Sequence, residues 1–191
     1  MDKRILKSEH AIKTAFLRLC RNKDPHRISV VDLCKEAKIN RSTFYERYGY
    51  IDNLIYDILL NEVKKICEIN PEISTENLQV LNKDAIRHYL NNFIKNEIIK
   101  LFCNCERSER YCQQIIELHV QITLNQESDP HLFYPAYFQN TGVVSMVLKW
   151  MKDQMPVSID EMAEIIYQFS KAMFLDYKKG NILFPALNLL I

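Results

Sequence analysis

Apolar residues recur along the chain every three to four positions, which is the period of an α-helix. In the first segment five of them share one face of a helix predicted over residues 3–21: Ile5, Ile12, Ala15, Phe16 and Leu19. Comparable patterns predict a helix that runs toward residue 69 and further helices over 83–103, 108–124, 133–154 and 158–178. With only three Gly and six Pro, and no strand pair joined by a turn, we expect an all-α protein.

The second predicted helix is short and has a capped start. Ser29 followed by Asp32 resembles a capping box, with Asp in place of the usual Glu or Gln. The buried side of this helix is expected to consist of Val30, Leu33 and Ala37. The chain then breaks at Lys38 and Ile39.

The third predicted helix covers residues 41–48, between an N-cap at Asn40 and a glycine at Gly49. Phe44 and Tyr48 are four residues apart, so they share a face that packs inward. The side chains left for the outside are Arg41, Ser42, Thr43, Tyr45 and Arg47. Hydroxyls and guanidiniums suit phosphates and base edges, whereas an ordinary solvated face favours Glu, Lys and Gln. Two short helices backed by a first one predict a three-helix unit with a helix-turn-helix, whose third helix can enter a major groove.

The domain organisation is predicted from one polar stretch, NPEISTEN at residues 70–77, which is the plausible interdomain connection. We expect a helix-turn-helix domain over residues 1–60 and a helical domain over 61–191. The chain contains no internal repeat and no low-complexity segment.

Charge is distributed unevenly along the chain, although the net charge is only +1. Residues 1–50 hold 12 Lys and Arg against 6 Asp and Glu, a charge of +6, and residues 51–191 hold 13 against 18, a charge of −5. A basic N-terminal quarter indicates that this segment alone meets a polyanion. The start carries scattered charges, and no stretch approaches the roughly 18 apolar residues of a membrane span, so we expect a cytoplasmic protein without membrane contact.

Catalytic and metal-binding signatures are missing from the sequence. It contains no GxSxG, no HExxH and no phosphate-binding glycine loop, so neither an enzyme nor a cofactor is expected. The six Cys include no CxxC and are read as reduced thiols. Cys103, Cys105 and Cys112 could form a metal or redox sensor, but Cys103 and Cys105 are two apart on a predicted helix and face different ways. No metal site is therefore expected.

Residues 28–54, ISVVDLCKEAKINRSTFYERYGYIDNL, resemble the DNA-binding segment of the TetR family of bacterial one-component repressors in order, spacing and residue type. A weaker resemblance continues in NTGVVSMVLKWM, which contains Gly142 and Trp150, and in the following SIDEMAEII helix. The resemblance implies that Arg41 and Ser42 approach bases, and that the phosphate-facing positions are Ser29, Thr43, Tyr45 and Arg47. With the N-cap Asn40, these residues form the predicted DNA-binding site.

Three positions depart from the family pattern. Lys38 stands where the family usually has Gly, so the turn either holds a strained left-handed residue or differs in shape. Ile51 replaces a common Lys at the start of the fourth helix, which weakens the case for a phosphate contact there. Glu46 faces outward and would repel phosphate unless it accepts from a cytosine amine.

Two further roles of the C-terminal domain follow from the family resemblance. A single recognition helix binds DNA weakly, whereas two related by a dyad can bind two half-sites. We therefore expect a homodimer formed through 141–154 and 158–178, as in the family's four-helix interface. A set of aromatic and histidine residues either forms core or lines a pocket for a small-molecule effector: His88, Tyr89, Phe93, Phe102, Tyr111, His119, Phe133, Tyr134, Tyr137 and Phe138.

The sequence thus predicts a homodimeric, ligand-responsive repressor that binds a palindromic double-stranded DNA operator. The alternative is a helical interaction or adaptor protein on the same scaffold, in which DNA binding is weakened or lost. The departures at Lys38, Glu46 and Ile51 suit that alternative.

Overall fold

The structure, a computed structural model, describes residues 3–68, 82–124 and 129–178. All regular elements in these ranges are helical, and the remaining described residues form turns, bends and irregular connections. This confirms the predicted all-α class. The helices are α1 (Lys3–Leu19), α2 (Val30–Ala37), α3 (Arg41–Arg47), α4 (Ile51–Glu68), α5 (Lys83–Lys95), α6 (Glu97–Cys103), α7 (Ser108–Thr123), α8 (Pro130–Lys152) and α9 (Ile159–Lys178). A 3-10 turn, Pro25–Arg27, precedes α2.

The chain divides into two compact units. The first combines Met1–Val63 with Asn96–Leu118, and the second combines Lys64–Lys95 with His119–Ile191. The predicted linker at 70–77 and the apolar end at 182–191 lie outside the described residues.

In the first unit α1 packs against α2 and α3, as the amphipathic stripes predict. Ile12, Ala15 and Phe16 of α1 are buried, whereas Ile5 and Leu19 at the ends of the stripe are only partly covered. Leu33 from α2 and Phe44 from α3 complete this core. The three helices therefore share one hydrophobic centre, which none of them could form alone.

The turn between α2 and α3 is tight because Lys38 adopts the left-handed conformation, with φ 55° and ψ 47°. Its N–H bonds back to Cys34 and Lys35, and the next N–H, from Ile39, donates to the Cys34 carbonyl at 3.1 Å. For a residue with a Cβ this conformation costs roughly 1–2 kcal/mol, which a glycine would avoid. The sequence allowed either a strained left-handed Lys38 or a turn of a different shape, and the structure has the left-handed Lys38.

The connection from α3 to α4 is held by polar contacts of Tyr48. Gly49, with φ 68°, ends α3 as the sequence predicts. The Tyr48 hydroxyl donates to Asp57 at 3.2 Å, and Asn53 donates to the Tyr48 carbonyl at 2.7 Å. Burial, together with the charge of Asp57, raises the pKa of Tyr48. Tyr48 is thus a packing residue whose hydroxyl keeps a partner, as expected from its inward position.

The predicted helix over 83–103 is two helices rather than one. Asn96 interrupts it, and its side-chain oxygen accepts from the N–H groups of Ile98 at 3.1 Å and Ile99 at 3.0 Å. The same side chain donates to Glu62 at 3.0 Å. An Asn side chain that satisfies the free N–H groups of a helix start competes with continuation of the previous helix. The apolar periodicity on both sides of Asn96 hides this break.

In the second unit α5 packs against α9. Ile86, Leu90 and Phe93 are buried on α5, and Met162 and Ile166 are buried on α9 as predicted.

Ion pairs flank the contact between α5 and α9. Arg87 Nε lies 2.5 Å from Asp160, and Lys83 lies 2.5 Å from Glu164. Because these side chains are exposed, each pair contributes little to stability.

Two of the four apolar positions predicted to face inward on α8 are buried, whereas Val143 and Met151 are only partly buried. Val147 and Trp150 lie in the interior, and the Trp150 indole N–H donates to the Val157 carbonyl at 2.9 Å. No helix in the described ranges is both long and apolar enough to cross a membrane.

Candidate nucleic-acid interface

The seven residues of α3 separate into a buried and an exposed side. Phe44 has no exposed surface, and its ring centroid lies 5.9 Å from that of Tyr48. The neighbouring Tyr45 is 54% exposed, although its ring meets the edge of Phe44 at 5.8 Å. The helix is therefore anchored by one aromatic ring and presents the other to solvent.

The predicted site residues lie at the start of α2, in the turn and along α3. Five of them are exposed: Ser29, Asn40, Arg41, Ser42 and Tyr45. Thr43 and Arg47 are partly buried. Because these residues lie within 19 positions on two short helices and their turn, a single rigid unit presents them together.

Ser29 has a structural task in addition to its predicted one. Its hydroxyl oxygen accepts from the Asp32 N–H at 3.1 Å, which is the capping contact expected from the sequence. The Lys23 ammonium lies 2.7 Å from Asp32, and with the Ser29 hydroxyl it holds the pKa of that carboxyl below its usual value. Asn40, in contrast, occupies the N-cap position of α3 without a side-chain capping bond.

The two arginines of α3 are in different electrostatic situations. Arg47 lies 3.5 Å from Glu9 of α1, so part of its charge is compensated within the protein. Arg41 is exposed and forms no ion pair with any described residue. Glu46 is exposed on the same helix, as the sequence predicts. Arg41 is therefore the guanidinium best placed for a bidentate contact with an external acceptor.

The loop between α6 and α7 together with the first turn of α7, here called the α6–α7 corner, contacts the segment that precedes α2. The sequence did not predict this contact. The Glu106 N–H donates to Asp24 at 2.8 Å, and the Glu106 carboxylate lies 2.6 Å from Arg27. Although burial opposes it, hydrogen bonds from Glu106 and His26 lower the pKa of Asp24. No local signal could reveal contacts between residues about eighty positions apart.

A second contact links the same corner to α4, where Arg110 lies 3.0 Å from Asp52 in the first turn. The α6–α7 corner therefore touches the elements on either side of the helix-turn-helix.

Asp24, His26 and Glu106 bring three possible metal-ligand atoms within 4.8 Å of one another. Protein donors already occupy them. His26 Nδ1 lies 2.6 Å from Asp24, and the guanidinium of Arg27 approaches Glu106. A cation would have to compete with that guanidinium, so this cluster is an ion-pair network rather than a metal site.

Residues 78–172 match a TetR family model described as "Transcriptional regulator C-terminal region". The match falls on the half of the chain that does not carry the helix-turn-helix. The chain belongs to the TetR family of transcriptional regulators.

Solved structures share this TetR-family fold at low sequence identity. The TetR family repressor AlkX from Dietzia sp. strain DQ12-45-1b gives a TM-score of 0.55 at 16% identity, covering 84% of this chain and 96% of its own. NalD, the secondary repressor of the MexAB-OprM multidrug efflux pump in Pseudomonas aeruginosa, gives 0.57 at 14% identity, covering 88% and 96%. The dihydroxyacetone kinase operon activator DhaS gives 0.50 at 19% identity, covering 86% and 94%. No curated protein matches the sequence significantly.

Proposed function

We propose that this TetR-family regulator is a homodimeric, ligand-responsive repressor that binds a palindromic DNA operator. The observation that carries the proposal is the division of α3, in which the buried Phe44 fixes the helix while Arg41, Ser42 and Tyr45 remain exposed. Residues 1–60 would form the DNA-binding domain, and residues 61–191 would bind the effector and the second subunit.

Each predicted site residue has a role in this proposal. Arg41 and Ser42, at the start of α3, would approach base edges in the major groove. Ser29, Thr43, Tyr45 and Arg47 would contact phosphates and fix the register, with Asn40 beside them at the turn. In the protein alone the Ser29 hydroxyl caps α2 and also hydrogen-bonds the Asp32 carboxylate, so a phosphate contact would take the place of that second bond.

Selection of genomic fragments by the purified protein is the experiment that tests operator binding. We expect recovery of a sequence with two related half-sites about 34 Å apart. Replacing Arg41 with Ala should then cost roughly 1–3 kcal/mol of discrimination at one base pair of each half-site, measured by fluorescence anisotropy on matched and mismatched duplexes. Tyr45→Phe should weaken binding to both duplexes equally, because it removes a phosphate contact.

Arg107→Ala is the matched control for the Arg41 substitution, since it removes the same charge from an exposed position in the α6–α7 loop. It should leave base discrimination unchanged. Steep salt dependence without sequence preference would contradict operator recognition, because it is the behaviour of a basic patch alone.

The proposed dimer interface uses the exposed apolar side chains of the last two helices. Phe169 is 68% exposed and Ile165 is 36% exposed on α9, although the same predicted stripe is buried at Met162 and Ile166. On α8 three aromatic residues are exposed just before the predicted interface segment: Tyr134, Tyr137 and Phe138. Apolar side chains of this size, exposed on two long helices, favour association with a second copy.

Replacing Phe169 with Glu should convert a dimer into a monomer, because a carboxylate would be buried at the centre of the interface. We expect the dimer dissociation constant to rise at least about 30-fold in analytical ultracentrifugation, as for an interface hot spot. Tyr50→Glu is the control, since Tyr50 is 75% exposed and lies outside α8 and α9. A parent protein that sediments as a monomer at micromolar concentration would refute the interface.

Effector binding is supported by buried polar atoms in the second unit. Five side-chain atoms there have no hydrogen-bond partner among the described residues: Asn92 Nδ2, His119 Nδ1, Gln139 Oε1, Thr141 Oγ1 and Ser170 Oγ. Buried polar groups normally have partners, so each of these atoms is one that a polar ligand could satisfy. Within the aromatic and histidine set, Tyr89, Phe93 and His119 are buried, whereas Tyr134 and Phe138 are exposed.

An adaptor protein that has lost DNA binding is the second candidate function. It is favoured by the exposed Glu46 on α3 and by Ile51, which begins α4 where the family commonly has Lys. Failure of the purified protein to select any genomic fragment, with the dimer intact, would support this alternative. The direction of regulation needs its own test, since AlkX and NalD are named repressors and DhaS is named an activator.

A further inference from the structure

Two cysteine sulfurs meet at the corner between α6 and α7. Cys103 is the last residue of α6, Cys112 lies in the second turn of α7, and their Sγ atoms are 3.7 Å apart. This is a contact distance, since a disulfide bond is about 2.05 Å long. From the sequence, Cys103, Cys105 and Cys112 were a possible metal or redox sensor, disfavoured because Cys103 and Cys105 face different ways. In the structure the contact joins Cys103 to Cys112 instead.

The chemistry of this pair is oxidation rather than metal binding. A zinc site needs four ligands, and among the described residues these two sulfurs belong to no group of three ligand atoms that lie within 4.8 Å of one another. Disulfide formation requires only that the sulfurs approach by roughly 1.7 Å, a shift that side-chain rotation with a small backbone adjustment can supply.

We propose that Cys103 and Cys112 form a peroxide-sensitive thiol pair whose disulfide weakens DNA binding. The regulatory part of this inference rests on the proposed function, whereas the disulfide itself does not. The two residues differ in access, because Cys103 is 2% exposed and Cys112 is partly exposed. Cys112 is therefore the thiol that meets the oxidant, and Cys103 is the resolving thiol.

The reaction consumes one hydroperoxide for each disulfide. The Cys112 sulfur attacks one peroxide oxygen, the O–O bond breaks, and with hydrogen peroxide the products are a Cys112 sulfenic acid and water. The Cys103 sulfur then attacks the sulfenic sulfur, the S–O bond breaks, and a second water leaves as the S–S bond forms. The two thiols together lose two electrons and two protons, and the peroxide is reduced to two water molecules.

The surroundings of the pair leave little room for the movement. Phe102 and Tyr111, each adjacent to one of the two cysteines, are buried and meet edge to face with ring centroids 4.9 Å apart. A close-packed interior transmits displacement instead of absorbing it. Closing the sulfur gap should therefore move the loop between α6 and α7.

That loop and the first turn of α7 hold the elements next to the helix-turn-helix. Glu106 binds Asp24 and Arg27, and Arg27 lies two positions before the Ser29 cap of α2. Arg110 binds Asp52 in the first turn of α4. Oxidation thus acts on both ends of the helix-turn-helix through contacts that exist in the reduced protein.

Disulfide formation is tested first, on full-length reduced protein titrated with hydrogen peroxide. Intact mass should fall by two hydrogens per chain, and tryptic cleavage at Lys100, Arg107 and Arg110 should yield a linked pair of peptides, one with Cys103 and Cys105 and one with Cys112. Cys105→Ser is the matched control, because Cys105 lies in the same corner and its thiol donates to the Phe102 carbonyl at 3.2 Å. This variant should still form the link, whereas Cys112→Ser should not.

The effect on DNA is measured with the selected operator fragment by fluorescence anisotropy. Oxidation should weaken binding at least about fivefold in the parent and in Cys105→Ser, with recovery after reduction, and should leave Cys112→Ser unchanged. Cys103→Ala, checked for folding by circular dichroism, should behave like Cys112→Ser. A link through Cys105, no link, or a link without loss of affinity would overturn the proposal. Failure of the reduced protein to bind any fragment would instead sink the proposed function, while peptide mapping would still decide the disulfide.

Discussion

Replacing Phe44 with Ala should lower the free energy of unfolding by about 3–5 kcal/mol, because it removes a fully buried ring from the centre of three small helices. α3 packs against α1 and α2, and the rings of Tyr45 and Tyr48 also contact Phe44, so relaxation into the space would cost existing contacts. Urea denaturation followed by circular dichroism measures the loss as a lower midpoint. Operator binding should fall with it, since α3 is positioned by this ring.

Tyr45→Ala is the matched control, since it truncates the neighbouring aromatic residue, which is 54% exposed. Its unfolding free energy should change by less than about 1 kcal/mol, whereas its affinity for the operator should still decrease. Comparing Phe44→Ala with Tyr45→Ala thus separates the contribution of α3 to folding from its contribution to DNA binding. Equal destabilisation by the two substitutions would show that α3 does not divide as described.

Acidification from pH 6.5 to about pH 4 should remove about 3 kcal/mol of stability through His119 alone. Burial lowers the pKa of His119 from the ordinary histidine value of 6.5 to about 4, and its Nε2 lies 2.8 Å from the Tyr89 hydroxyl. The unfolded chain therefore takes up the proton first as the pH falls. The contribution is fully present above about pH 6.5 and is lost at roughly 1.4 kcal/mol per pH unit below it.

The measurement compares urea unfolding of the parent and of His119→Gln at a series of pH values. Glutamine keeps a polar side chain near Tyr89 but does not titrate, so the difference between the two proteins isolates the histidine from the many carboxylates. The difference should shrink between pH 6.5 and pH 4. Parallel curves over that interval would show that His119 is protonated as readily in the folded protein as in the unfolded chain.

Local structure near the N-terminus could be predicted because its signals lie within a few residues of one another. The Ser29 cap, the Phe44 anchor and the Gly49 stop each depend on the next three or four positions. The division of the helix predicted over 83–103 could not be predicted in the same way. Asn96 is compatible with an exposed helix position, and only its contacts with Glu62 and with the start of α6 show that it is a cap.

The exposure of α3 could be predicted in part from side-chain spacing, but its electrostatic surroundings could not. Arg41, Ser42 and Tyr45 are exposed as predicted, whereas Thr43 and Arg47 are partly buried. The Arg47 ion pair with Glu9 and the Glu106 contact with Arg27 join residues that are distant in sequence. Periodicity carries no information about such pairs, because they depend on how separate helices meet. The sulfur contact between Cys103 and Cys112 belongs to the same class.

At Lys38, the left-handed residue at the end of α2, stability and DNA attraction favour different amino acids. A glycine at position 38 would relax the backbone and stabilise the folded headpiece, but it would also delete a positive charge beside the helix proposed to meet DNA. Lys38 therefore keeps a positive charge near the proposed DNA-contacting helix at the cost of backbone strain. Lys38→Gly should raise the melting temperature and lower the association rate with operator DNA.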